Sequence, residues 1–131
     1  MTAAYRRDDW PAIEHIGNFY PIVPVPKPRM TQRDKWMKRP CVLRYRAFRD
    51  KCRLLRVELP EGCKVIFYLP MPKHWSRDER ELWLGKPHQF KPDLDNLIKG
   101  LWDAVFAKDE AIASVRAEKR WANVPGIEVV A

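Results

Sequence analysis

Asp93 and Asp95 stand two residues apart, with Asn96 and Lys99 close behind, in the run Lys91-Pro92-Asp93-Leu94-Asp95-Asn96-Leu97-Ile98-Lys99. Two carboxylates, an amide and an amine at this spacing suit metal-assisted chemistry on a phosphodiester. Hard oxygens hold magnesium or manganese, and an ammonium can stand beside the charge that develops on phosphate. A further acid pair, Asp109-Glu110, follows and could complete such a site. Taken singly these residues have plainer roles, Asp93 as a helix cap and Asp95 with Lys99 as a surface ion pair. Together, on a basic chain, they point to a nuclease. The sequence has no glycine-rich phosphate loop, which counts against a kinase or any nucleotide-cofactor enzyme, and no zinc-hydrolase pair of histidines around a glutamate.

The elements that must position these groups follow from periodicity. Leu94, Leu97, Ile98, Leu101, Trp102 and Val105 recur at three- and four-residue intervals, which predicts a helix with one buried face and Asp95, Lys99 and Asp103 on the other. Two mid-helix residues two positions apart would point about 200° away from each other. With Asp93 in extended geometry just before the helix, its side chain turns toward Asp95 instead. Asn18 to Val23 reads as a first strand, at an edge because of Pro21. Pro24, Pro26 and Pro28 then keep the chain extended, and an irregular basic loop leads to Pro40. Val42 to about Val57 predicts an amphipathic helix with Leu43, Ala47, Leu54 and Leu55 inward, helped by Tyr45 or Phe48. Lys64 to Leu69 is a buried strand. Residues 70–92 form a long polar excursion with a short helix around Ser76 to Leu84, Ser76 and Glu79 being spaced as a capping box. Ala113 to Trp121 and Gly126 to Val130 close the chain as strands. These elements predict a small α/β (α+β) fold of four strands and two main helices packed on one face, with residues 1–17 as a flexible lead-in and 18–131 as a single domain.

At 131 residues, 46% hydrophobic and 32% charged, the chain suits one globular domain. Its net charge of +8 is unevenly placed. Between Lys27 and Arg56 twelve basic residues face only Asp34 and Asp50, a net +10, so the remainder is net −2. Such a block is the footprint of a phosphate-backbone binder, the competing reading being a solubilising surface or an acidic protein partner. The candidate DNA-binding residues are Lys27, Arg29, Arg33, Lys35, Lys38, Arg39, Arg46 and Arg49, with Lys73 further on. Trp75 and Phe90 could stack on or wedge DNA bases, core packing being the alternative. No 18-residue apolar run and no signal-peptide core occur, so the expected location is the cytoplasm with no membrane partner. Cys41, Cys52 and Cys63 are odd in number and lack zinc spacing, which predicts free thiols. His15, His74 and His88 show no metal-ligand rhythm.

Beyond these physical readings the chain resembles the RusA family of Holliday junction resolvases, often encoded by phages and prophages. The resemblance rests on Pro92-Asp93-Leu94-Asp95-Asn96-Leu97-Ile98-Lys99, on Trp102-Asp103-Ala104-Val105, and on Asp109-Glu110. Upstream, Val25-Pro26-Lys27-Pro28-Arg29, a helix bearing Tyr45, and Pro70-Met71-Pro72-Lys73-His74-Trp75-Ser76 follow the family layout, so residues 19–130 are covered. The resemblance implies a mixed sheet with helices on one face and a homodimer that binds four-way DNA junctions. It also implies symmetric paired cutting with Mg²⁺ or Mn²⁺. Asp93 and Asp95 would be metal ligands and Lys99 the lysine near the scissile phosphate. The family's third acid is the second of an Asp-Asp pair, which here falls on Glu110, after Asp109. Glutamate reaches one methylene further and is still a hard ligand, and both residues are candidates. A branched-DNA binder without cleavage, or a nuclease for other branched or linear DNA, are the alternatives.

Overall fold

A computed structural model describes residues 10–29, 39–106 and 113–131. Its elements in chain order are β1 (Asn18–Tyr20), α1 (Pro40–Leu54), β2 (Lys64–Pro70), α2 (Arg77–Trp83), α3 (Leu94–Val105), β3 (Arg116–Ala122) and β4 (Gly126–Val130). The strands form one mixed four-stranded sheet in the order β1-β4-β2-β3, with β2 and β3 parallel and the other pairs antiparallel. This is the α+β arrangement that the residue pattern predicts.

β2 is central and apolar on both sides, so its alternate residues build two cores. Val65, Phe67 and Leu69 join Ile127 and Val129 of β4 against α1 and α3, where Tyr45, Phe48, Leu97, Leu101 and Trp102 are buried. Ile66 and Tyr68 face the opposite side, with Ala122, Phe19 and Ile13. Residues 10–17, from the expected lead-in, lie along this second face. Asn123 Nδ2 donates to the Pro11 carbonyl at 2.5 Å, and the amides of Ile16 and Gly17 donate to Glu128. β1 sits so close to β4 that a Cβ on Gly126 would lie 2.2 Å from the Phe19 ring.

β1 is shorter than expected, because Pro21 ends its pairing with β4 after Tyr20. In α1 the inward face differs from the expected one. Val42, Tyr45, Phe48 and Cys52 are buried, whereas Leu43 is 45% and Leu54 79% exposed. The face is chosen by the packing on α3, where the Tyr45 hydroxyl donates to the Gly100 carbonyl at 2.8 Å. Gly100 accommodates this approach, since a Cβ there would lie 3.0 Å from the Val25 carbonyl. α2 carries the expected capping box at Ser76 and Glu79. Its Arg80, 1% exposed, donates to the carbonyls of Trp75, Pro72 and Lys73 and to Asn123 Oδ1, which ties down the loop after β2. Cys41, Cys52 and Cys63 are free thiols, and burial pushes the Cys52 thiol up to about 11. Among the described residues no helix is long and apolar enough to cross a membrane.

Candidate metal and nucleic-acid site

The parallel pairing of β2 and β3 decides where the candidate acids lie. A parallel pair needs a crossover, and here it runs from Pro70 to Arg116 through α2 and α3. α3 carries the chain back along the sheet, so its N-terminus stands by the carboxyl ends of β2 and β3. That is where ligands bind in sheets with parallel strands. One cavity near these strand ends is lined by Pro70, Met71, Phe90, Lys91 and Trp121.

Asp93 precedes α3 in extended geometry (φ −70°, ψ 138°), as the motif requires. Its carboxylate does not cap the helix. Both of its oxygens instead accept from Lys91 Nζ, at 2.9 and 3.0 Å. The hydrogen bond and charge of Asp93 hold the Lys91 ammonium above its ordinary range, and Asp95 adds to the effect. The point in front of the Asp93 carboxylate is thus occupied by a cationic side chain. Asp95 Oδ1 accepts from the Asn96 amide at 2.9 Å, and Asp95 is exposed. Lys99, one turn further along α3, is exposed and makes no ion pair with Asp95 among the described residues. The expected Asp95–Lys99 pair is thus replaced by contacts closer in sequence.

The chemistry of Asp93 and Asp95 fits a hard divalent cation: oxygen donors, solvent access for retained waters, and a cation already drawn to Asp93. The Lys91–Asp93 pair is exposed, so water screens it and a divalent ion can displace it. Asp109 and Glu110 lie outside the described residues, and among those described no group of three His, Cys, Asp or Glu could hold a metal ion. The chain around that segment is fixed on its far side. Glu61 Oε1 accepts from the amides of Ala113 and Ser114 at 2.9 and 2.6 Å.

Lys119 on β3 is a residue beside the candidate site that sequence reasoning missed. It lies on the helix side of the sheet, between Ala117 and Trp121 and paired in register with Phe67. Its ammonium donates to the carbonyls of Phe90 and Pro92, at 2.7 and 2.8 Å, clasping the turn that presents Asp93. Burial lowers its pKa while the charge of Asp93 opposes that shift. Main-chain bonds from Gly85 to Trp121, Trp121 to Lys86 and His88 to Lys119 bind the preceding loop along the outer edge of β3. The available signal was a lysine at an inward position of a strand, which requires partners.

The basic residues are distributed unevenly. Arg33, Lys35 and Lys38 lie outside the described residues. The Lys27 ammonium pairs with Asp103 and sits 5.9 Å from the centre of the Tyr45 ring, while its amide donates to the Asn96 carbonyl. This Lys27 contact ties the proline-rich segment to α3. Arg39 donates to the Arg29 carbonyl, and both residues are exposed. Arg46 and Arg49 are half-buried on α1, with Arg49 Nε 3.9 Å from Asp50, and Lys73 is exposed. His74 is exposed, His15 bonds Glu128, and His88 packs 4.0 Å from the Trp121 ring. Trp75 also packs on Trp121, whereas Phe90 is 69% exposed.

Residues 20–130 match the family model described as endodeoxyribonuclease RusA. An uncharacterized protein of Bacillus subtilis (strain 168), YqaN, is 31% identical over 80 residues, covering 54% of this chain and 56% of YqaN. The chain thus spans about half the length of that relative. No solved structure matches.

Proposed function

Because the chain belongs to the RusA endodeoxyribonuclease family, we propose that it is a divalent-metal-dependent endonuclease that resolves four-way DNA junctions by paired, symmetric phosphodiester hydrolysis. The observation that supports this reading is the exposed Asp93 carboxylate at the mouth of α3, already holding a cation in Lys91 with both oxygens, with the exposed Asp95 two residues on. Residues 18–131 constitute the catalytic domain, acting as a homodimer so that two sites meet two opposed strands.

Asp93 and Asp95 supply carboxylate oxygens for Mg²⁺ or Mn²⁺, with Glu110 or Asp109 as the third acid. When bound, the metal acidifies a water and offsets charge on the phosphate under attack. Lys99, exposed one turn from Asp95, places an ammonium beside that developing charge. With a cation held at Asp93, the exposed Lys91 ammonium would be free to meet a DNA phosphate. The products are nicks with 5′-phosphate and 3′-hydroxyl ends. Arg29, Arg39, Arg46, Arg49 and Lys73, with Arg33, Lys35 and Lys38, hold the junction arms through their phosphates.

The test is incubation of the protein with a synthetic four-way junction and a linear duplex of the same sequence. Cleavage of the junction in Mg²⁺ or Mn²⁺, its loss with a chelator, and resistance of the linear duplex are expected. Binding without cleavage in every divalent ion would leave a DNA-binding protein, to which the Glu110 departure from the family's Asp-Asp pair gives some support. Equal cutting of linear duplex would replace the junction with a broader substrate.

Lys119 acts here as a positioning residue. Lys119→Met should lower cleavage about 10- to 100-fold, since a displacement near 1 Å at a reacting centre costs that order of rate. Junction binding measured by anisotropy should stay within about threefold. Lys119→Arg should recover part of the rate, because a guanidinium still donates to two carbonyls. A Lys119→Met variant that cuts at the parental rate would remove Lys119 from the site.

A further inference from the structure

Beside the acids lies a cavity of about 820 Å³ that the hydrolytic reading does not use. It opens between the exit of β2 at Pro70 and the end of β3 at Trp121, and its rim reaches Phe90 and Lys91. This volume is within the range of sites that enclose small organic ligands. Phe90 is the unusual member. Its ring is 69% exposed, yet its backbone is held on both sides, the amide donating to His88 Nδ1 at 3.4 Å and the carbonyl accepting from Lys119 at 2.7 Å. The ring lies 6.0 Å from Trp121 and 6.2 Å from His88, edge-on to the latter, so an aromatic wall continues from the exposed ring to the buried one.

We infer that this cavity takes an unstacked base of the DNA strand at the branch point, with Phe90 as its stacking platform. The inference rests on DNA lying across Asp93 and Asp95 and adds a base-binding subsite to that reading. Asp93 follows Phe90 by three positions, so their Cα atoms are at most about 11 Å apart. A base entering at Phe90 therefore belongs to a nucleotide within a few positions of the phosphate at Asp93. Lys73 and Lys91 place positive charge at the rim, and no carboxylate is among the described lining residues. That charge suits a nucleotide and disfavours a second copy of this chain, which is itself +8. Four-way junctions suit such a site because bases at the crossover are more easily unstacked than bases within a duplex.

The experiment is a cycle of binding measurements with a chelator present, so that cleavage plays no part. Parent and Phe90→Ala proteins are titrated against a four-way junction that is intact or carries one abasic residue, placed in turn at each position within three nucleotides of the branch point. At one position the parent should lose about tenfold in affinity, within the range for a base stacked on an aromatic ring. Phe90→Ala should lose a similar factor on intact DNA and be indifferent to that abasic residue, while Phe90→Trp should bind as well as the parent. Losses that multiply independently, or a parent indifferent to every abasic position, would overturn the inference. So would a change of oligomeric state in Phe90→Ala, which would make the ring a subunit contact. Cleavage in Mg²⁺ is scored separately. A parent that shows the coupling but cuts no DNA keeps the base site and loses the nuclease reading, and one that cuts without coupling does the reverse.

Discussion

Asp95→Asn will cut a four-way junction at least about a thousandfold more slowly than the parent in Mg²⁺, and will bind it with nearly unchanged affinity. The substitution keeps the shape of the side chain and removes its charge. Nothing in the fold depends on that charge, because Asp95 is exposed and its one bond is to the neighbouring Asn96 amide, which an amide oxygen also accepts. On the proposed reading the loss therefore falls on a cation shared with Asp93 and on the transition state that such an ion stabilises. A thousandfold corresponds to about 4 kcal/mol of barrier, comparable to removing one preorganised electrostatic partner from a hydrolytic site. Single-turnover cleavage, with binding followed by anisotropy, separates the two quantities. A variant that cuts as fast as the parent would place the metal elsewhere. Joint loss of binding and cutting would make Asp95 a DNA contact.

The second large effect concerns stability on the other side of the sheet. Glu128 is 1% exposed and accepts from the Tyr68 hydroxyl at 2.6 Å, from the amides of Gly17 and Ile16 at 2.8 and 2.9 Å, and from His15 Nδ1 at 3.1 Å. Burial alone would raise its carboxyl pKa, but these hydrogen bonds outweigh burial and draw it down to about 2. The same burial and the bond to Glu128 hold the Tyr68 phenol above its usual range. A carboxyl depressed on folding stabilises the native state above the unfolded carboxylate range. That contribution drains away as pH falls from about 4.5 toward 2. Its full size is about 3 kcal/mol. Glu128→Gln should lose about 2–3 kcal/mol at pH 7, since an amide cannot accept from all four donors. It should also lack the steep acid limb of the parent. Urea denaturation from pH 7 to pH 2 measures both, and a variant with the parental acid limb would contradict the assignment.

What the sequence made legible was set by local physics. The apolar spacing of Leu94 through Val105 and the extended residue before it give α3 and the backbone conformation of Asp93 with no need of partners. The continuous apolar run at Val65 to Leu69 likewise gives a central strand. The inward face of α1 was not legible, because several arrangements of its apolar residues are amphipathic and the choice is made by Tyr45 meeting Gly100 across helices. Glu128 lies in a strand that the sequence predicts, but nothing in that pattern marks it as buried. Its burial depends on amides more than 110 positions away in the chain. Lys119 was hidden for a different reason: its partners are carbonyls, which no sequence pattern marks. The Asp109-Glu110 pair stays visible only as a motif, outside the described residues.

The clasp at Lys119 has a consequence for how such a protein can diverge. Its ammonium grips the carbonyl oxygens of Phe90 and Pro92, and every amino acid carries a carbonyl. The side chain at 90 can therefore be exchanged by mutation while the backbone before Asp93 is held in place. On the proposed reading, contacts to DNA bases can change at position 90 while the backbone that presents Asp93 stays where Lys119 holds it.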